Sequence, residues 1–234
     1  MNTRSMRPAL GALALACLCP LALAGRPIVT EDAGVLDRGA CEFETFALRA
    51  TQRGAPSATG LSAQVGCGVG YRSQVAVAVA TTRSDGQSEH GLALVGKTAL
   101  NEPGPTGPAW TLAWGLDAAK PSGESLDHES TFLNGVMSLP ITERLKLHAN
   151  LGWSHSQSAR QSTTGWAMAL ERSLPSGIDL LGEVFADDRE RSPWVQVGVR
   201  WAVVPDKLFV DASWGMQTSS SRPKALTIGL KAAF

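Results

Sequence analysis

From residue 40 to the C-terminus the chain alternates apolar and polar residues one for one, run after run, with almost nothing at helical spacing. A strict two-residue period belongs to a strand, whose side chains point to opposite faces at every step. In LKLHANLGWS one face carries Leu145, Leu147, Ala149, Leu151 and Trp153, and the other Lys146, His148, Asn150, Gly152 and Ser154. WVQVGVRW sets Val195, Val197, Val199 and Trp201 against Gln196, Gly198 and Arg200. The chain ends in ALTIGLKAAF, with Leu226, Ile228, Leu230, Ala232 and Phe234 on one side and Thr227, Gly229, Lys231 and Ala233 on the other. The pattern predicts an all-β fold of twelve strands, at about 40–51, 58–69, 74–84, 90–100, 109–118, 130–139, 145–154, 164–173, 178–186, 194–202, 208–215 and 224–234.

Alternation does not say which face meets water. A soluble sandwich turns its apolar faces inward, whereas a transmembrane β-barrel turns them out toward lipid. Three features favour the barrel. The polar faces hold mostly Gly, Ala, Ser and Asn, and charged residues make up 18 % of the chain, below the roughly 25 % of soluble domains. Trp153, Trp166 and Trp214 fall near one predicted rim and Trp110, Trp201 and Phe234 near the other, as interfacial girdles do. Short connectors (70–73, 140–144, 174–177, 203–207) alternate with longer polar ones (85–89, 119–129, 155–163, 187–193, 216–223), although 53–57 and 101–108 break that rule. The prediction is a transmembrane antiparallel β-barrel over residues 40–234, with both termini on the periplasmic side.

The N-terminus supports an exported chain. MNTRSMRPALGALALACLCPLALAG has Arg4 and Arg7, an apolar run, and Ala22-Leu23-Ala24, the form of a secretory signal peptide over residues 1–24. A lipoprotein anchor at Cys17 is the alternative. With Arg4 and Arg7 gone, the 21 basic residues fall to 19 against 21 acidic ones. That balance gives no electrostatic case for nucleic-acid binding. No later segment has the apolar length of a transmembrane helix.

Cys41 and Cys67 remain after the signal, symmetric about the turn-forming Arg53-Gly54-Ala55-Pro56. In a hairpin centred there they stand directly opposite, which favours a disulfide over two buried thiols.

The chain as a whole resembles Gram-negative outer-membrane β-barrels. Phe234 with apolar residues at every second position before it resembles the signal read by the barrel-assembly machinery. More narrowly, RPIVTEDAGVLDRGACEFETF, residues 26–46, resembles the mature N-terminus of a family of small outer-membrane transport proteins associated with the meta pathway of phenol degradation. The matching residues are Arg26, Pro27, Thr30, Glu31, Asp32, Ala33, Gly39, Glu42 and Glu44. The resemblance implies passage of a small solute, hydrophobic or aromatic, across the outer membrane.

Within such a barrel, the inward faces would carry Glu42, Glu44, Lys97, Asp117, Lys146, His148, Glu171, Asp179, Glu183, Arg200, Asp211 and Lys231. Mixed charges are expected to pair across the interior, because a lone buried charge is costly. Residues 25–39 lack alternation and are either a periplasmic lead or a plug folded up into the lumen, where Glu31, Asp32 and Asp37 would meet Lys146, Arg200 or Lys231. The function expected is a passive channel for a small solute, in contact with outer-membrane lipid. The alternatives are a structural or adhesive barrel with a filled lumen, or a lipid-modifying enzyme using His128 and Ser130, or His148 and Ser154. No catalytic residue, cofactor or metal site is assigned: metal-ligand spacing and nucleotide-binding fingerprints are absent from the sequence.

Overall fold

A computed structural model of the chain describes residues 28–121, 123–190 and 192–234. The predicted signal peptide with Cys17, and Gly25, Arg26 and Pro27, lie outside them. Twelve strands follow in order: β1 (Cys41–Thr51), β2 (Ala58–Gly70), β3 (Ser73–Ser84), β4 (Gln87–Ala99), β5 (Ala109–Pro121), β6 (Asp127–Thr142), β7 (Leu145–Ser156), β8 (Gln161–Leu174), β9 (Ile178–Asp187), β10 (Trp194–Val204), β11 (Leu208–Gln217) and β12 (Lys224–Ala233). Each pairs antiparallel with its sequence neighbours, and β1 pairs with β12 to close the barrel. The last residue finishes that seam: Cys41 N–H donates to the Phe234 carbonyl at 2.8 Å, and Phe234 N–H to the Cys41 carbonyl at 2.9 Å.

The apolar faces point outward. On β3, Ala76 and Ala78 are 3 % and 5 % exposed, while Val77 and Val79 are 52 % and 55 % exposed. Leu151, Met168, Leu170, Val195, Val197 and Ile228 are exposed, whereas Glu42, Lys97, Glu171 and Glu183 are buried. That arrangement inverts a water-soluble protein and fits a hydrocarbon surround. A sheet survives in hydrocarbon only when closed, since open edges strand their backbone polar groups. The molecule is an outer-membrane β-barrel. The Trp side chains at both rims face outward, apart from Trp194, which turns inward and stacks on Phe185 with centroids 5.9 Å apart.

The connectors are shorter than the sequence reading expected. β3 and β4 meet at a tight Asp85-Gly86 turn, β5 and β6 extend to Pro121 and back from Asp127, and β7 and β8 run to Ser156 and from Gln161. Apolar alternation ends where lipid ends, but the hydrogen-bond ladder runs on into the polar zone. Loss of pattern therefore marks the edge of the bilayer rather than the end of the strand. The asymmetry survives in weaker form, in 52–57, 188–193 and 218–223 against 71–72, 143–144 and 205–207, with 85–86 and 100–108 as exceptions.

Cys41 and Cys67 are register partners and form a disulfide. It lies on the outward face of the β1–β2 hairpin, at the end of the barrel where β1 begins and β12 ends.

Candidate functional site: a luminal segment and the wall that holds it

Residues 28–36 run inside the barrel, gripped by inward side chains of β3 to β7 and β9. Val29 N–H and Thr30 N–H donate to the Glu183 carboxylate at 2.9 and 2.8 Å, and Thr30 Oγ1 adds a third bond at 2.6 Å. Asn150 takes the Glu31 backbone both ways, accepting from its N–H at 2.7 Å and donating to its carbonyl at 3.0 Å. Lys97 Nζ donates to the Asp32 carbonyl at 2.7 Å. Ala33 N–H donates to Ser138 Oγ at 2.8 Å while Thr111 Oγ1 donates to the Ala33 carbonyl at 2.7 Å, and Leu36 N–H donates to Gln74 Oε1 at 2.8 Å. Buried backbone groups need partners, and here barrel side chains supply what a neighbouring strand normally would.

Apolar packing adds to these bonds. Ile28 clusters with Ala169 and Leu181, and Ala33 with small wall residues including Ala76, Val95 and Ala113. The segment then meets β2: Arg38 bridges to Gly68 in parallel, and Gly39 N–H donates to the Gly68 carbonyl at 2.9 Å. A Cβ on Gly68 would stand 2.0 Å from the Asp37 carbonyl oxygen, so only glycine lets the backbones pass this closely.

Register explains where the segment binds. Lys146 stands opposite Glu171, Arg200 opposite both Asp179 and Asp211, and Lys231 opposite Glu44. These cations are neutralised along the wall by adjacent strands. Lys146 Nζ lies 3.6 Å from Glu171, Arg200 Nη2 lies 2.9 Å from both Glu171 and Asp179, and Lys231 bonds Glu42 and lies 3.3 Å from Glu44. Pairing is thus lateral rather than across the lumen, because register neighbours are only about 5 Å apart. Lys97 instead faces Gln74 and Ala113, and Glu183 faces Gln196 and Ala169, with no opposite charge in register. Those two charges are the ones the segment uses. Its acids accordingly meet Lys97, with Glu31 Oε2 at 4.0 Å, while Lys146, Arg200 and Lys231 are engaged by carboxylates of the wall.

The remaining inward candidates line the wall. Glu42, Glu44, His148 and Asp211 are buried, and Gln64 Nε2 donates to Glu44 at 2.8 Å. His148 Nδ1 lies 2.7 Å from Ser138 Oγ, which already holds Ala33, so the histidine buttresses the segment's anchor. Asp117 accepts from Ser130 Oγ at 2.8 Å. His128 Nε2 lies 3.0 Å from the Ser130 carbonyl and 3.1 Å from Thr131 Oγ1, so the ring is held against the Ser130 backbone and the Thr131 hydroxyl. Among the described residues, no group of three or more His, Cys, Asp or Glu is arranged to hold a metal.

Sequence reasoning did not single out Gln74, Thr111, Ser138, Asn150 or Gly68 as contacts of the segment. The first four are inward polar positions whose partner is not a strand, and no periodicity reports that. The interior is also less polar than expected, since Phe46, Val95, Phe132, Val136, Leu181 and Trp194 are buried inside it.

The two acids of the segment differ in protonation. Burial pushes Glu31 up to about 7, against the opposing pull of Lys97 and a hydrogen bond from Asn134. Asp32 is half-buried, and desolvation raises it, but Lys97 and the Gly34 N–H, donating at 2.7 Å, outweigh that and hold it well below the usual carboxylate range.

The barrel matches solved outer-membrane proteins in shape. The KdgM porin superposes with a TM-score of 0.56 at 9 % identity, covering 82 % of this chain and 99 % of its own. The NanC porin gives 0.57 at 9 % identity, covering 80 % and 98 %. The COG4313 outer membrane channel from Pseudomonas putida F1 gives 0.59 at 11 % identity, covering 87 % and 98 %. At such identities the likeness is one of fold. No curated protein matches the chain in sequence. The chain belongs to the family described as Uncharacterised conserved protein UCP029691, whose model it matches over residues 13–234.

Proposed function

We propose that the protein is a passive outer-membrane channel for a small solute, with residues 28–36 as a built-in occupant that narrows the lumen. The observation that carries this reading is the ladder of side-chain bonds from Glu183, Asn150, Lys97, Ser138, Thr111 and Gln74 to the backbone of that segment. A barrel wanted only as a surface anchor could fill its centre with side chains alone; holding a peptide there suits a path that is narrowed or released. The fold shared with porins and an outer-membrane channel supports the same reading. The resemblance of residues 26–46 to transport proteins of the phenol meta pathway favours a hydrophobic or aromatic solute. The resembling residues Thr30, Glu31, Asp32 and Ala33 belong to the luminal segment itself. On this reading Phe234 and the alternation before it also serve as the assembly machinery's recognition signal.

The wall also bears on solute charge. Inward Glu42, Glu44, Glu171, Asp179, Glu183 and Asp211 outnumber inward Lys97, Lys146, Arg200 and Lys231. KdgM has been solved in complex with disordered oligogalacturonate, a polyanion. An acidic wall disfavours such a ligand and favours neutral or cationic solutes.

Residues 25–234 refolded into a planar bilayer test the proposal, with heat-modifiable gel mobility reporting folding. Discrete cation-preferring steps are expected, and deletion of residues 25–36 should raise their amplitude. A folded barrel that stays silent with and without the segment would overturn the channel and support a filled structural barrel.

A further inference from the structure

The outward face of the barrel is not uniform at the end opposite the termini. On β12, β1, β3 and β5 the lipid-facing apolar series ends in a cation: Leu226 gives way to Lys224, Ala47 to Arg49, Val79 through Thr81 to Arg83, and Leu116 through Ala118 to Lys120. Register joins three of these into one surface. Arg49 is opposite Thr59, Thr59 opposite Arg83, and Arg83 opposite Ser88, which makes one row. The next row toward the membrane runs Thr81, His90, Lys120. Strands lie about 5 Å apart, so Arg49 and Arg83 stand about 10 Å apart on the same face.

Two observations indicate that these charges await something outside the protein. Arg49, Arg83, Lys120 and Lys224 are all exposed, and none takes part in an ion pair among the described residues. By contrast Arg72, at the opposite rim, lies 3.8 Å from Glu102. Among the carboxylates near the patch in sequence, Glu89 and Asp117 have inward parity and Asp85 sits in the turn. On the other side of the barrel the same level is aromatic, with Trp153, Trp166 and Trp214 on β7, β8 and β11. β1 begins and β12 ends at the far end, so the patch is on the extracellular side. An arginine- and lysine-bearing surface with hydroxyls between the cations, directly above an apolar wall, complements a phosphorylated headgroup whose acyl chains run down that wall.

We propose that Arg49, Arg83 and Lys120, with Thr59 and Thr81 between them, form a binding surface for the phosphate groups of an outer-leaflet phosphorylated glycolipid. The surface fixes one sector of the barrel, β12 through β5, to the lipid, while the tryptophan sector makes only an interfacial contact.

The test uses the full mature chain folded in zwitterionic detergent. The temperature at which its heat-modifiable band converts is followed against bis-phosphorylated lipid A, its dephosphorylated form, and phosphatidylglycerol. The phosphorylated glycolipid should raise that temperature, and the dephosphorylated form should not. A combined Arg49→Gln, Arg83→Gln and Lys120→Gln variant should need about a hundredfold more glycolipid for the same rise, at about fivefold per lost charge near a lipid surface. A control variant with Arg72→Gln, Arg144→Gln and Arg172→Gln, at the opposite rim, should respond like the parent. If the triple variant does not fold, Arg83→Gln alone should show a partial loss. Equal responses to the phosphorylated and dephosphorylated forms, an unchanged response in the patch variants, or an equal effect of phosphatidylglycerol would each overturn the proposal.

Discussion

The two halves of the barrel's inner wall are built by one alternation rule and end up as different materials. From β3 to β6 a cluster of small or apolar inward residues, Ala76, Ala78, Ala93, Val95, Ala113 and Val136, is buried around Ala33 of the luminal segment, with Lys97 the buried cation among them. From β7 round to β1 most of the inward charges lie, and apart from Glu183 they pair along the wall. The difference follows from what each half must touch. A peptide backbone lies close against the first half and needs short neighbours. Against the second, side chains themselves reach into the space, and charges can be buried there only in compensated groups.

This contrast can be broken from either side. On the charged wall, Arg200→Gln leaves Glu171 and Asp179 facing each other without their shared cation. We expect a loss of about 2–3 kcal/mol in urea unfolding, reduced from the fully buried case because the site is partly wet. Conductance should change little, since Arg200 is engaged by Glu171 and Asp179 of the wall; a large conductance change with unaltered stability would refute the division. On the small wall, Ala113→Leu pushes a larger side chain into the cluster around Ala33. A cost of about 1–2 kcal/mol is expected, together with higher conductance as the segment is displaced. An unchanged conductance would mean that the segment does not depend on this surface.

The smallest effect is in pH, and it separates the segment from both walls. Glu31 sits at about 7 in place against an ordinary 4.5, so its contribution to docking is complete below about 4.5 and is lost as pH rises through 7. Asp32 has the opposite sign, being lowered from 3.8, so its contribution is present above that value and is lost as pH falls further. Opening should therefore be least frequent between about 3.8 and 4.5, where both contributions are in place, and should increase on both sides. Glu31→Gln should abolish the increase on the alkaline side, as read in single-channel records.

Much of this molecule was legible from its sequence, for reasons that apply residue by residue. Strand identity and inward parity come from steric geometry and a bilayer, both local in effect, so Lys146, Glu171, Arg200 and Lys231 could be placed on the inner face by reading every second residue. The pairing of Cys41 with Cys67 was readable because a hairpin maps sequence symmetry onto space. The grip on the luminal segment was not readable. Whether Lys97 or Lys146 would hold Glu31 depends on which cation lacks a carboxylate in register, and register across twelve strands is a global property. Gly68 illustrates the same limit: its need for no side chain arises from Asp37, which reaches it by a path that no period describes.

The Cys41–Cys67 disulfide has a consequence for how the barrel is made. Eleven of the twelve strand seams join neighbours in sequence and can form as local hairpins; only β1 with β12 brings together the two ends of the chain. The disulfide holds β1 to β2 beside that seam, and its formation requires only one hairpin, in an oxidising compartment, before the bilayer is reached. A covalently registered β1 then offers β12 an edge that cannot slip by a residue. Such a slip would turn Glu42 and Glu44 toward lipid and Phe43 into the lumen. The bond thus acts as a proofreading device for closure, set at the start of biogenesis and consulted at its last step.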